Sequence, residues 1–174
     1  MAKTQKLLSA LASASKNAGG IHTARELAYM IGEQYTPAFK KMLSDGVNEG
    51  VIRRVARGVF ESTLTPAEPS TAIYKIVNKL RDGVLNYISL ESQLSHTGDI
   101  SQVLMDRLTV MTKGRSGTFE TPYGVIEFTH TKKPLSTVVP NLYLDEKVKI
   151  FRASTALAVA DLKACNRNLH MLEG

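Results

Sequence analysis

Six side chains between residues 36 and 57 carry the clearest chemistry in this chain: Thr36, Lys40, Lys41, Arg53, Arg54 and Arg57. The arginines lie in "VIRRVARGVF", Val51 to Phe60, interleaved with apolar residues and followed by a single glycine. A guanidinium group meets phosphate oxygens through a planar fork of N–H donors, and a lysine meets them as a point charge on a flexible stem. A hydroxyl such as that of Thr36 adds a neutral phosphate or base contact. This set of groups suits the backbone of a polyanion, provided the fold brings a helix and a ribbon side by side.

The elements that would do so are legible around them. Thr4 to Ala18 reads as a first helix closed by Gly19 and Gly20, with Leu7, Leu8 and Leu11 on one stripe. Ile21 and His22 form a short extended link. Thr23 and Glu26 have capping-box spacing, and Ala24, Leu27, Ala28 and Ile31 follow on one helical face that ends at Gly32. Thr36 then caps a third helix with Pro37 at its first position. Phe39, Met42, Leu43 and Val47 form its inward face, while Lys40, Lys41, Ser44 and Asn48 fall on the other side. Two short helices joined by Gly32 to Tyr35 have the layout of a helix-turn-helix.

The arginine stretch follows directly. Its alternation predicts a two-stranded ribbon reversing at Arg57-Gly58. Three helices and then a basic ribbon is the order of a winged helix, whose wing reaches phosphates beside the major groove or enters the minor groove. Arg53 and Arg54 are adjacent on a strand and point to opposite faces. One is expected to face DNA, the other to lie over the small core or in solvent, with Arg57 free at the turn. The same pattern also fits a hairpin that only closes a small core and carries solvated arginines.

Further on, "STLTPAEPS", Ser62 to Ser70, has two prolines and no apolar period, so it reads as a domain boundary. Thr71 to Arg81 is helical. A brief strand, Leu85 to Ile88, leads into a helix capped by Ser89 and ended at Gly98. From Arg107 the period changes to two: "RLTVMT", "GTFET" and "GVIEFTHT" predict an antiparallel meander turning at "KGRSG" and "PYG". "KVKIFRA" is another strand, and Thr155 caps a last helix, Ala156 to Ala164. The expected fold is α+β: a winged helix-turn-helix at 1–62, a linker at 63–70, and a small mixed α/β domain at 71–174.

Other chemistry is sparse. "KGRSG", Lys113 to Gly117, lacks the spacing of a phosphate loop and is flanked by strands, so it reads as a hairpin turn. His22, His96, His130 and His170 are scattered without metal-ligand spacing, and Cys165 is the only cysteine. No nucleophile elbow or paired carboxylates stand out. The expectation is therefore no catalytic residue, metal or cofactor, and no enzyme. One cysteine and no disulfide framework suit a reducing cytosol. No run approaches the ~18–20 apolar residues of a membrane span. Ser9, Ser13 and Ser15 break up the only leader-like stretch, which fits a helix of the folded protein. The 174-residue chain carries a net charge of +6. Residues 1–65 hold nine Lys/Arg against five Asp/Glu, so the excess lies where the ribbon is.

Thr23 to Ser62 resembles the N-terminal winged helix of the AbiEi family, the antitoxins of type IV toxin–antitoxin systems. "YISLESQLSHTGDI", "VMTKGRSGTFETPYGVIEFTHT" and "FRASTALAVADLK" are similar, in the same order, to stretches of that family's C-terminal domain. The resemblance implies a DNA-binding repressor of its own operon that meets DNA through the N-terminal domain, where the helix and ribbon reading places Thr36, Lys40, Lys41, Arg53, Arg54 and Arg57. It further implies a functional link to a nucleotidyltransferase-like toxin that needs no stable complex, with antitoxicity in the C-terminal domain. Two other readings keep the same fold: a plasmid or phage regulator without a toxin, and an interaction module whose winged helix docks protein.

Overall fold

A computed structural model describes residues 3–14, 20–101 and 106–167. The chain is mixed α+β, with seven α-helices and two sheets among the described residues. It divides into two compact units, residues 1–80 and 81–174. Among the described residues no helix is long and apolar enough to cross a membrane.

In the first unit, α1 (Lys3–Ala14) buries Leu7 and Leu11, one turn apart. Its expected extension to Ala18 and its closure at Gly19 lie outside the described residues. Ile21–Thr23 is a strand, β1, rather than a bare link. α2 (Ala24–Met30) starts where the Thr23 hydroxyl accepts from the Glu26 backbone N–H at 3.1 Å. The Glu26 side chain does not close the capping box. It accepts a hydrogen bond from Lys79 at 2.8 Å. α3 (Pro37–Asn48) is capped by Thr36, whose hydroxyl accepts from Phe39 N–H at 3.2 Å. Phe39, Met42 and Leu43 point inward and meet Leu7, Leu11, Leu27, Ile52 and Phe60 in one core. β2 (Ile52–Ala56) and β3 (Val59–Ser62) form the expected ribbon, and β1 joins it in the antiparallel order β1-β3-β2.

The expected linker at 63–70 is not a free connection. Ala67 is buried, and its N–H donates to the Glu61 carboxylate at 3.0 Å. Gly20, at φ +82°, lies so close to this segment that a Cβ would sit 2.6 Å from the Thr65 carbonyl oxygen. α4 (Pro69–Leu80) then packs along β1, β2 and β3, burying Ala72, Ile76 and Val77. The helix expected to open the second domain therefore completes the first, and the division falls at 80/81. Proline-rich composition marks irregular backbone. It does not say whether that backbone is tied down.

The second unit holds a six-stranded sheet in the order β6-β7-β5-β4-β9-β8. Its strands are β4 (Asn86–Ile88), β5 (Arg107–Thr112), β6 (Gly117–Thr121), β7 (Gly124–His130), β8 (Leu142–Asp145) and β9 (Ile150–Ala153). Three of these runs were expected as a meander, and that expectation is corrected here. β6 and β7 form an antiparallel hairpin, but β7 runs parallel to β5, so β6 lies at the sheet edge. Burial explains the order. β5 is buried along nearly all its length and needs a neighbour on each side, whereas β6 alternates half-buried and exposed positions, as an edge strand does. "KGRSG" is accordingly a crossing past β7 rather than a hairpin turn. The Lys113 amine is held there by the carbonyls of Thr131 and Lys133, at 3.2 and 2.9 Å.

α5 (Leu90–Thr97) and α7 (Thr155–Cys165) pack through Leu90, Leu94, Leu157, Ala158 and Leu162 on Tyr87, Met111 and Ala153 of the sheet. Ser154, not Thr155, caps α7, accepting from Leu157 N–H at 3.2 Å. A short helix, α6 (Leu135–Val138), and a 3₁₀ turn lead into β8, which the sequence reading did not anticipate.

Candidate nucleic-acid interface

Two backbone hydrogen bonds set the ribbon against the helices of the first unit. Val51 N–H donates to the Gly46 carbonyl of α3 at 2.9 Å, seating β2 at that helix's end. Ala24 N–H, at the start of α2, donates to the Gly58 carbonyl at 3.0 Å, so the ribbon turn abuts α2. Gly58 holds φ +72°, which few residues with a Cβ adopt. The outward face of α3, opposite Phe39, Met42 and Leu43, exposes Lys40, Lys41, Ser44 and Asn48.

The six candidate residues divide in this frame. The Thr36 hydroxyl accepts from the α3 backbone, so its first role is to start the helix. Lys41, exposed, pairs with half-buried Asp45 at 3.3 Å, an interaction worth little near the surface. Lys40 makes no ion pair among the described residues; its ammonium nitrogen lies 5.1 Å from the centre of the Tyr35 ring. Arg53 and Arg54 are both exposed. Arg53 stands opposite Glu61 in the ladder and donates to its carboxylate at 2.7 Å. That Glu61 side chain is 2% exposed, so Arg53 neutralises a buried charge. Arg54 stands opposite Phe60, just before the register slips between Arg54 and Ala56. Arg54 and Arg57 are exposed and have no ion-pair partner among the described residues. Of the three wing candidates, one is thus committed to the fold and two are free.

Sequence reasoning missed three neighbours. Arg25 on α2 places its guanidinium carbon 4.7 Å from the centre of the Tyr35 ring. Tyr35 in turn packs edge-on against buried Phe39, with ring centres 6.3 Å apart. Tyr29, at the end of α2, is 88% exposed. Arg25 stood inside the capping motif and Tyr35 closed the turn between the two helices, so neither was singled out. Residues 1–80 hold eleven Lys/Arg against six Asp/Glu, and residues 81–174 eleven against ten. The excess positive charge belongs to this unit.

One histidine lies in the core of the same unit. His22 on β1 is 1% exposed, and neither ring nitrogen has a hydrogen-bond partner among the described residues. Glu26 stands 3.8 Å away. Burial lowers its pKa below the usual value; Glu26 partly opposes this, and Lys79 adds to it.

In the second unit the reactive side chains are bound into buried networks. Asp161, fully buried, accepts from Tyr87 Oη at 3.0 Å, Ser89 Oγ at 2.7 Å and Lys133 Nζ at 2.9 Å. Burial, with Asp161 beside it, pushes the Tyr87 phenol well above its usual range. Burial also raises the Cys165 thiol, with Asp161 adding to the effect, which disfavours its thiolate form. Glu127 is disfavoured as a charge by burial, but hydrogen bonds from Arg167 and Arg107 outweigh this and hold its carboxyl below the ordinary value. Arg152 donates to Asp145 at 2.7 Å and to Gln93 at 3.1 Å. His130 Nδ1 lies 2.8 Å from the Gly114 carbonyl, and His170 lies outside the described residues. Among the described residues no group of three or more His, Cys, Asp or Glu is placed to hold a metal ion.

No model of a known protein family matches the chain, and no curated protein matches it.

Proposed function

We propose that the first unit is a winged helix-turn-helix that binds double-stranded DNA, and that the chain is a transcriptional regulator acting on its own operon. The observation that carries this reading is the set of cations the fold leaves free. Lys40 on the exposed face of α3, and Arg54 and Arg57 on the ribbon, have no carboxylate partner among the described residues. Counter-charges from a phosphate backbone would complete them. In this reading α3 enters the major groove and presents Lys40, Lys41, Ser44 and Asn48, while the ribbon turn brings Arg57 to flanking phosphates or a minor groove. Thr36 acts mainly by fixing the start of α3.

The test is titration of the full chain with labelled duplex from its own promoter and with scrambled duplex of equal length. Preference for the promoter, fading as salt rises, supports the reading; absence of binding at low salt removes it. A type IV antitoxin role rests on the resemblance of residues 87–163 to the AbiEi C-terminal stretches. Its test is co-expression with a nucleotidyltransferase-like toxin encoded alongside the gene, with the chain driven from a foreign promoter. Growth rescue is the expected result.

A further inference from the structure

Arg25, Tyr35 and Lys40 come from three successive segments of the first unit: the start of α2, the turn before α3, and the first turns of α3. The fold gathers two like charges on one ring. The Arg25 guanidinium carbon and the Lys40 ammonium nitrogen lie 4.7 and 5.1 Å from the Tyr35 ring centre. The ring is fixed from below by buried Phe39. Neither cation has an ion-pair or hydrogen-bond partner among the described residues. The nearby acids are engaged elsewhere or make no pair with them: Glu26 binds Lys79, Asp45 binds Lys41, and Glu33 in the turn pairs with neither cation.

Two cations drawn together without a counter-charge repel one another, and the face of one aromatic ring compensates only in part. An anion between them removes the conflict. Position narrows the choice of anion. Ala24, next to Arg25, donates to Gly58, next to Arg57. The backbone that carries Arg57 thus lies beside the one that carries Arg25, at the ribbon turn.

We propose that Arg25 and Lys40, held by Tyr35, form a clamp for a DNA backbone phosphate that fixes the register of α3 on the duplex. The inference rests on the DNA-binding reading above and adds two residues to it. Arg25 and Lys40 supply charge. Tyr35 is a positioning residue that acts through them.

The experiment measures affinity of the full chain for its own promoter duplex between 50 and 200 mM salt, with thermal melts as controls. Arg25→Ala and Lys40→Ala are each expected to flatten the log-log salt slope by part of the ~0.9 that one phosphate contributes, and the double variant by about 0.9, with binding weakened roughly tenfold at ~0.1 M salt. Tyr35→Ala keeps both charges, so the slope stays and affinity falls roughly 2- to 5-fold; Tyr35→Phe keeps the ring and parental affinity. Arg25→Lys retains the slope. If the parent binds its promoter while Arg25→Ala and Lys40→Ala keep its slope and affinity, the clamp is overturned and the DNA reading stands. If the parent binds no DNA, both fall together.

Discussion

Arg53 separates a structural arginine from a binding one, and its replacement by alanine has two readouts. In the folded chain Arg53 donates to Glu61 at 2.7 Å. The carboxylate is 2% exposed and the arginine 49%. Arg53→Ala leaves Glu61 buried, with the Ala67 N–H still donating to it at 3.0 Å. Breaking a fully buried pair costs about 3–5 kcal/mol, and exposed pairs are worth about 0.2–1. With one partner half in solvent, we expect about 1–3 kcal/mol. In a unit of 80 residues each kcal/mol lowers the melting temperature by roughly 4–8 °C. Glu61→Gln in the Arg53→Ala background should recover part of the loss, because a neutral amide tolerates burial better than an unpaired carboxylate. Arg54→Ala and Arg57→Ala should melt with the parent, because both are exposed without a partner among the described residues. The DNA readout runs the other way. Arg54→Ala and Arg57→Ala should each flatten the log-log salt slope by about 0.9, and Arg53→Ala by less than half of that, since Glu61 already neutralises it. An Arg53→Ala protein with parental stability and a slope reduced by the full amount would refute this division of labour.

Other outcomes follow from the same geometry. A fragment of residues 1–80 should melt cooperatively, whereas 1–65 should not, because it removes the α4 residues Ala72, Ile76 and Val77 that pack on the small sheet; two indistinguishable melts would argue against the 80/81 division. The pKa of His22 is lowered in the folded chain, so below the usual value of about 6.5 the unfolded chain gains a proton that the folded one resists. Stability should fall as pH drops below that point, and His22→Leu should flatten the fall; parallel urea midpoints for parent and variant between pH 8 and 5 would contradict it. Asp161→Asn should cost the second unit about 3 kcal/mol or more in denaturant titrations, because Lys133 loses its partner and two buried hydroxyls lose a charged acceptor. Cys165 should react slowly with iodoacetamide at pH 8, at a rate well below that of a free thiol.

Much of the first unit was legible because its signals are local. Thr23 and Thr36 cap the helices they precede, Pro37 opens α3, and the ribbon turns at Arg57-Gly58. The missed features depend on contacts distant in sequence. No periodicity tells that Glu61 would be buried against Ala67, or that Arg53 would be spent on it. Lys79 reaches Glu26 across 53 residues, which converts an expected capping box into an ion pair. The meander failed for a similar reason: alternation assigns strand faces but not neighbours, and β7 displaced β6 beside β5 because β5 is buried. Within the candidate site, the cationic residues were visible by type. Tyr35 was not, because only the fold brings Arg25 and Lys40 each near its ring.

The most direct test of DNA binding is the salt dependence of full-chain affinity for its own promoter duplex against a scrambled duplex. Arg54, Arg57 and the Arg25–Lys40 pair, which shares one phosphate, would neutralise about three phosphates, giving a log-log slope of about −2.7 and clear preference for the promoter. Binding that is absent at low salt, or present but indifferent to salt, would contradict the account.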